Sequence, residues 1–312
     1  MDRNNRKVAY IFPGQGAQKV GMGRDVYTEY PQARLIFDEA DKVLGFPLTQ
    51  LCFEGPLEAL TETANAQPAI LATSIAYYAA ASSNLSRNPQ MTPAFVAGHS
   101  LGEYTALVAA GALDFRDALR LVRERGRLMH EAGEKTSGGM GVVLGMDEVT
   151  MEEICQETGT ELANLNSPDQ IVISGTRDAL ARALDLAKAR GAKRVIPLRV
   201  GGAFHSSLMA PALEGMSKAL DKVALARPRI PLIANRTGTP LTDTSAIKKE
   251  LLDQLCGSVL WRQSVQYMTR NGVGTFVEIG PGRVLTGLVR QIESDAETIN
   301  VGEAAAVGQL AS

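Results

Sequence analysis

Cysteine is scarce here, with three in 312 residues. Cys52, Cys155 and Cys256 stand far apart, no pair has metal-site or redox-motif spacing, and three thiols cannot close a disulfide set. Buried, reduced thiols in a cytoplasmic protein are the expectation. Charge of one sign is also missing: 32 basic against 34 acidic side chains leave a net charge of −2. No basic field draws the chain to nucleic acid or to an anionic membrane. Long apolar runs are absent too. The start, MDRNNRKVAYIFPGQG, is too short in apolar residues for a signal peptide. The most apolar later stretch, 69–81, is broken by Thr73 and Ser74 and is too short for a bilayer span. Neither a G-x-G-x-x-G fingerprint nor a P-loop occurs, which removes support for dinucleotide or ATP chemistry. There are no repeats, low-complexity tracts or charge runs.

What is present is ordinary globular sequence, 45% apolar and 21% charged, long enough for one large domain carrying an insert. Strand-like apolar runs alternate with helical patterns, which predicts an α/β fold with a central, mainly parallel sheet. Lys7 to Phe12 reads as a strand ending in the turn PGQG. Helices are expected over 25–44, 67–83, 101–110 and 115–130, the last capped by Asp114. A short strand at 95–98 precedes the third of these. Further strands are expected at 231–234 and 275–279, with helices over 264–271 and 284–292.

Residues 133–201 read differently. Strands at 140–144, 161–166, 170–175 and 193–200, with helices over 147–158 and 177–190, give the order βαββαβ of a ferredoxin-like unit. The expected organisation is a large hydrolase-like catalytic domain, 1–132 and 202–312, with a small inserted domain at 133–201.

GHSLGEY at 98–104 fits G-x-S-x-G between a predicted strand and a predicted helix, the context that motif needs. Ser100 would stand clear of the backbone in a sharp turn, with the Leu101 amide aimed at an oxyanion. The base must come from three histidines. His99 points away from its neighbour at a strand end, and His130 reads as a partner for the last carbonyls of its helix. His205 remains.

The helix after the nucleophile carries an arginine out of place. Phe115, Leu119, Val122, Gly126 and Met129 form its apolar stripe at about 100° per residue. Arg116, Arg120, Arg123 and Arg127 group on a face expected to be solvated, whereas Arg125 flanks the stripe. A guanidinium keeps its charge, so a buried one needs an anion. Either an internal carboxylate or a substrate carboxylate held by its two-bond fork would serve.

Taken together, FPGQGAQ at 12–18, GHSLGEY at 98–104, Arg125, NSPDQ at 166–170, GAFHSSLM at 202–209 and EIGPGRVLTGL at 278–288 resemble the malonyl-CoA:acyl-carrier-protein transacylases of fatty-acid synthesis. Polyketide synthase acyltransferase domains are similar. The motifs run in order over nearly the whole chain. The resemblance implies that Ser100 carries malonyl as an ester and His205 shuttles the proton. It implies also that the amides of Gln15 and Leu101 form the oxyanion hole, and that Arg125 grips the malonyl carboxylate. Leu260 stands where some relatives have a glutamine whose backbone carbonyl orients the histidine, and it could supply that carbonyl.

The implied reaction is ping-pong transfer from a coenzyme A thioester, malonyl-CoA, to the phosphopantetheine thiol of acyl carrier protein, with no metal or cofactor. A cytoplasmic monomer without nucleic-acid or membrane partners is expected. The carrier is acidic in this pathway, so Lys193, Arg194 and Arg290 are its candidate contacts. Two alternatives stand beside this reading: a serine α/β-hydrolase or thioesterase, and a non-catalytic carrier-binding module. The first fits poorly, because no histidine follows His205.

Overall fold

A computed structural model describes residues 6–198 and 200–309. Ten strands occur among them: β1 Lys7–Phe12, β2 Pro93–Gly98, β3 Gly138–Leu144, β4 Glu161–Ser167, β5 Gln170–Thr176, β6 Arg194–Pro197, β7 Leu232–Ile233, β8 Pro240–Leu241, β9 Val273–Ile279 and β10 Glu297–Val301. The larger sheet has the order β10-β9-β1-β2-β7-β8, parallel except for the edge pair β7–β8. Val8 to Phe12 of β1 are all buried, the continuous apolar run of a parallel strand covered on both faces. β1 and β2 end level, Phe12 opposite Gly98, so the loops after both open at the carboxyl edge of the sheet. That edge is where open α/β sheets hold their sites.

Two helices wall this edge. Thr63–Arg87 is buried along most of its length, and Phe115–Thr136 packs on it with its apolar stripe. Gly126 lets them touch: a Cβ there would lie 2.6 Å from the Thr63 carbonyl oxygen. Asp114 caps the second helix, accepting from the amides of Arg116 and Asp117.

The smaller sheet is antiparallel, in the order β4-β5-β3-β6, with helices Glu148–Thr158 and Arg177–Ala189 in the connections. Its β4 edge is covered by the larger body. Leu165 N–H donates to Val259 O at 2.9 Å, and Val259 N–H to Ala163 O at 2.8 Å. Edge pairing of this kind satisfies backbone groups that would otherwise stay open. Ser167 Oγ donates to Gln291 Oε1 at 2.7 Å, and Glu161 accepts from the Ser207 amide at 3.0 Å, just past His205.

The structure departs from the sequence expectation in several places. The helix expected over 25–44 is two, Arg24–Glu29 and Pro31–Leu44, broken at Tyr30 because the residue before a proline avoids helical backbone. The strand expected over 193–200 ends at Pro197, and Arg199 within it lies outside the described residues. The helix expected to stop at His130 runs to Thr136, and His130 pairs with Glu134 at 3.6 Å rather than with terminal carbonyls. Helix Thr244–Cys256 and strand β10 were not expected at all. No helix among the described residues is long and apolar enough to cross a membrane.

Candidate active site

Between β2 and helix Gly102–Ala109 the chain makes one sharp turn, and Ser100 sits in it with φ of 52°. The turn closes only because its flanks have no side chains. A Cβ on Gly98 would lie 1.9 Å from Gly102 C, and one on Gly102 would lie 2.1 Å from Phe12 O. A left-handed serine costs about 1–3 kcal/mol, so neighbouring structure must hold it. Asn235, just past β7, does so. Its Oδ1 accepts from Ser100 N–H at 2.7 Å and its Nδ2 donates to Gly98 O at 2.7 Å.

Ser100 Oγ lies 2.8 Å from His205 Nε2, although 105 positions separate them. His205 is buried and itself left-handed, with φ of 59°. Its Nδ1 lies 2.7 Å from the Gln254 carbonyl oxygen. A carbonyl can only accept, so Nδ1 carries the proton and Nε2 is left with its lone pair toward the serine hydroxyl. Burial, and next the nearby Arg125 charge, push the imidazole down to about 3, so the ring is neutral at ordinary pH.

The carbonyl expected from Leu260 is therefore supplied elsewhere. Leu260 O accepts from Ser264 N–H at 3.0 Å and Ser264 Oγ at 2.9 Å, inside the start of helix Trp261–Arg270. Gln254 lies in the last turn of helix Thr244–Cys256, where carbonyls have no partner within the helix and are free to accept from outside it.

Arg125 is 1% exposed, more deeply buried than its place on the flank of the stripe suggested. Nη1 donates to Gln67 Oε1 at 2.7 Å and Nη2 to Gln254 Oε1 at 2.8 Å, while Nη2 also lies 3.3 Å from Ser100 Oγ. Its carbon stands 5.4 Å from the Tyr104 ring centroid. Nε has no partner among the described residues. The internal carboxylate that sequence left open as its partner is not among its hydrogen-bond acceptors, which are two carboxamide oxygens and a hydroxyl. Arg123, expected to be solvated, instead donates to Ala64 O at 2.7 Å and stacks over Phe46.

Gln15 and Leu101 stand on the two loops that meet here. Gly14 comes so close to the nucleophile turn that a Cβ would lie 2.3 Å from His99 O. The Gln15 side chain donates to Thr63 Oγ1 at 3.2 Å, and among the described residues neither its amide nor that of Leu101 has an acceptor. His99 turns away from Ser100, with Nε2 2.8 Å from Asn166 Oδ1 in the smaller sheet.

The three candidate carrier contacts lie at the surface. Lys193 stands 3.9 Å from Asp169 in the β4–β5 turn, and Arg194 is exposed at the start of β6. Arg290 donates through Nε to Thr298 Oγ1 at 2.9 Å. Its helix, Val284–Ile292, is the one that Ser167 touches through Gln291.

Sequence reading missed Gln254, Gln67, Asn235 and Glu103. A signal for Gln254, and for Glu250 beside it, existed: Ile247, Glu250, Leu251, Gln254 and Leu255 follow helical spacing, with both polar residues on the buried face. The oddity that exposed Arg125 was present there as well.

The chain matches the acyl transferase domain family over residues 9–311. Among curated relatives, a malonyl CoA-acyl carrier protein transacylase of Bacillus subtilis is 46% identical over 302 residues, 95% of this chain and 94% of that protein. The crystal structure of an acyl-carrier-protein-S-malonyltransferase from Bartonella henselae superposes with a TM-score of 0.93 at 42% identity, covering 97% of this chain and 98% of the other. A malonyl-transacylase in complex with its type II polyketide synthase acyl-carrier protein superposes at 0.92 and 39% identity, covering 97% and 98%.

Proposed function

The chain belongs to the acyl transferase domain family, and we propose that it moves malonyl from malonyl-CoA to the phosphopantetheine thiol of acyl carrier protein. The observation that carries this reading is a serine–histidine–carbonyl relay beside a buried guanidinium that, among the described residues, hydrogen-bonds no carboxylate.

In the first half-reaction His205 Nε2 takes the Ser100 hydroxyl proton while Oγ attacks the thioester carbonyl. The oxygen that gains charge is held by the amides of Gln15 and Leu101. The carbon–sulfur bond then breaks, and the proton on His205 passes to the departing coenzyme A sulfur. Gln254 O stabilises the ring while it is charged, because Nδ1–H points at it throughout. Among the described residues the partner of His205 Nδ1 is a backbone carbonyl, where a triad would place a carboxylate. Arg125 meets the malonyl carboxylate in a two-bond fork, which holds the thioester over Ser100. In the second half-reaction the carrier thiol gives its proton to His205 and attacks the ester, and Ser100 recovers its proton as the acyl group leaves. The two thioesters are similar in energy, so the transfer runs both ways.

We place the reaction in fatty-acid biosynthesis in the cytoplasm, with the enzyme as a monomer and Lys193, Arg194 and Arg290 facing the acidic carrier. Labelling with radioactive malonyl-CoA tests the assignment. A malonyl ester on Ser100, discharged by carrier protein and absent in Ser100→Ala, is the expected result. Free malonate released at the rate of loading indicates a hydrolase, and no covalent adduct indicates a non-catalytic module.

A further inference from the structure

Glu103 is a carboxylate without solvent exposure in the first turn of helix Gly102–Ala109, and it touches neither Ser100 Oγ nor His205. One of its oxygens accepts from the Asn235 amide at 3.0 Å, the other from Gln254 Nε2. The same Nε2 donates to Ser100 O at 3.0 Å, which leaves Gln254 Oε1 for Arg125 Nη2 at 2.8 Å. A carboxamide has a donor side and an acceptor side, and its neighbours decide which way round it sits. Here the neighbours agree: two acceptors stand on one side, and on the other stands a guanidinium, which can only donate. Burial raises the Glu103 carboxyl above the usual range, with nearby Glu250 adding to it, while the amides of Asn235 and Gln254 and the charge of Arg125 oppose that rise.

We propose that Glu103 is a positioning residue for acyl selectivity: by accepting from Gln254 Nε2 it keeps the Gln254 oxygen on Arg125, and so keeps the guanidinium aimed at the carboxylate of the incoming acyl group. The proposal rests on Arg125 as the carboxylate-binding residue. It also accounts for a carboxylate set one residue back from the arginine. In direct contact it would form an internal ion pair and compete with the substrate. Relayed through a neutral carboxamide, it orders the arginine and leaves its charge available.

Glu103→Gln keeps the shape but offers one acceptor oxygen to two donors. Serving Asn235 turns its NH2 against Gln254 Nε2, and the clash is relieved only if Gln254 rotates its own NH2 toward Arg125. The experiment measures kcat and KM separately for malonyl-CoA and acetyl-CoA on the wild type, Glu103→Gln, Glu103→Asp and Arg125→Ala. For Glu103→Gln the malonyl-to-acetyl ratio of kcat/KM is expected to fall about tenfold to a hundredfold, the scale of one hydrogen bond to a charged group, mainly through the KM for malonyl-CoA. Glu103→Asp retains two acceptor oxygens with shorter reach, and its ratio should fall between the two. It decides alone if the glutamine variant does not fold. A wild-type ratio in the Glu103 variants, or an equal loss for both substrates, overturns the proposal while Arg125→Ala still collapses the ratio. If Arg125→Ala leaves the ratio unchanged, the reading of Arg125 itself is wrong.

Discussion

Arg125→Ala is the sharpest perturbation the structure offers. The guanidinium has two carboxamide acceptors and, among the described residues, no carboxylate in hydrogen-bond contact; Glu103 acts on it only across Gln254, which leaves the fork open to an arriving carboxylate. Removing one partner of a buried charged pair costs about 3–5 kcal/mol. At about 1.4 kcal/mol per decade, kcat/KM for malonyl-CoA should fall by roughly two to three and a half decades. An acyl group without a carboxylate has no such pair to lose, so acetyl-CoA should lose far less and the preference should narrow or invert. The truncation also orphans Gln67 Oε1 and Gln254 Oε1 at a cost of about 1–3 kcal/mol each, so the variant should melt earlier. That loss cannot imitate the result. Both substrates are measured on one preparation, and the ratio cancels the amount of folded enzyme. Arg125→Lys should recover part, since an ammonium cannot reach both carboxamides and offer a planar fork together. A parallel decline for malonyl-CoA and acetyl-CoA would refute the reasoning.

Further outcomes follow from the relay and its frame. His205 is depressed to about 3 in the folded protein, against about 6.5 unfolded, so it stays an unprotonated base well below the usual histidine range. The acid limb of kcat/KM should therefore lie well under pH 6, and a limb near 6.5 would contradict the burial argument. For stability the depressed value gives a contribution present above pH 6.5 and lost as pH falls toward 3, at up to about 1.4 kcal/mol per pH unit; denaturant curves of the wild type against His205→Gln isolate that slope. Asn235→Ala frees the Ser100 amide and the Gly98 carbonyl together, so each orphaned buried group should cost about 1–3 kcal/mol in denaturant unfolding. Malonyl-serine formation in this variant should slow at least about tenfold, because an elbow held at positive φ relaxes once its clamp is gone; an unchanged loading rate would show that the elbow holds itself.

Much of the site was legible in the sequence because its chemistry is local or rare. G-x-S-x-G between strand and helix is a local geometry, and its glycines are demanded by contacts within the motif, Gly98 against Gly102. Three histidines made the base a matter of elimination. An arginine out of step with its own helix declared a buried charge, and the βαββαβ succession of elements in the small unit followed from alternation and turns. What only the tertiary structure decided are contacts between distant segments. His205 is oriented by Gln254 rather than Leu260, because the choice depends on where the last turn of helix Thr244–Cys256 packs, and a backbone carbonyl leaves no mark on residue identity. The absence of a carboxylate on Arg125 is likewise a fact of three dimensions. Periodicity shows that a charge is buried, whereas only packing shows that two glutamines, from helices far apart in the chain, receive it.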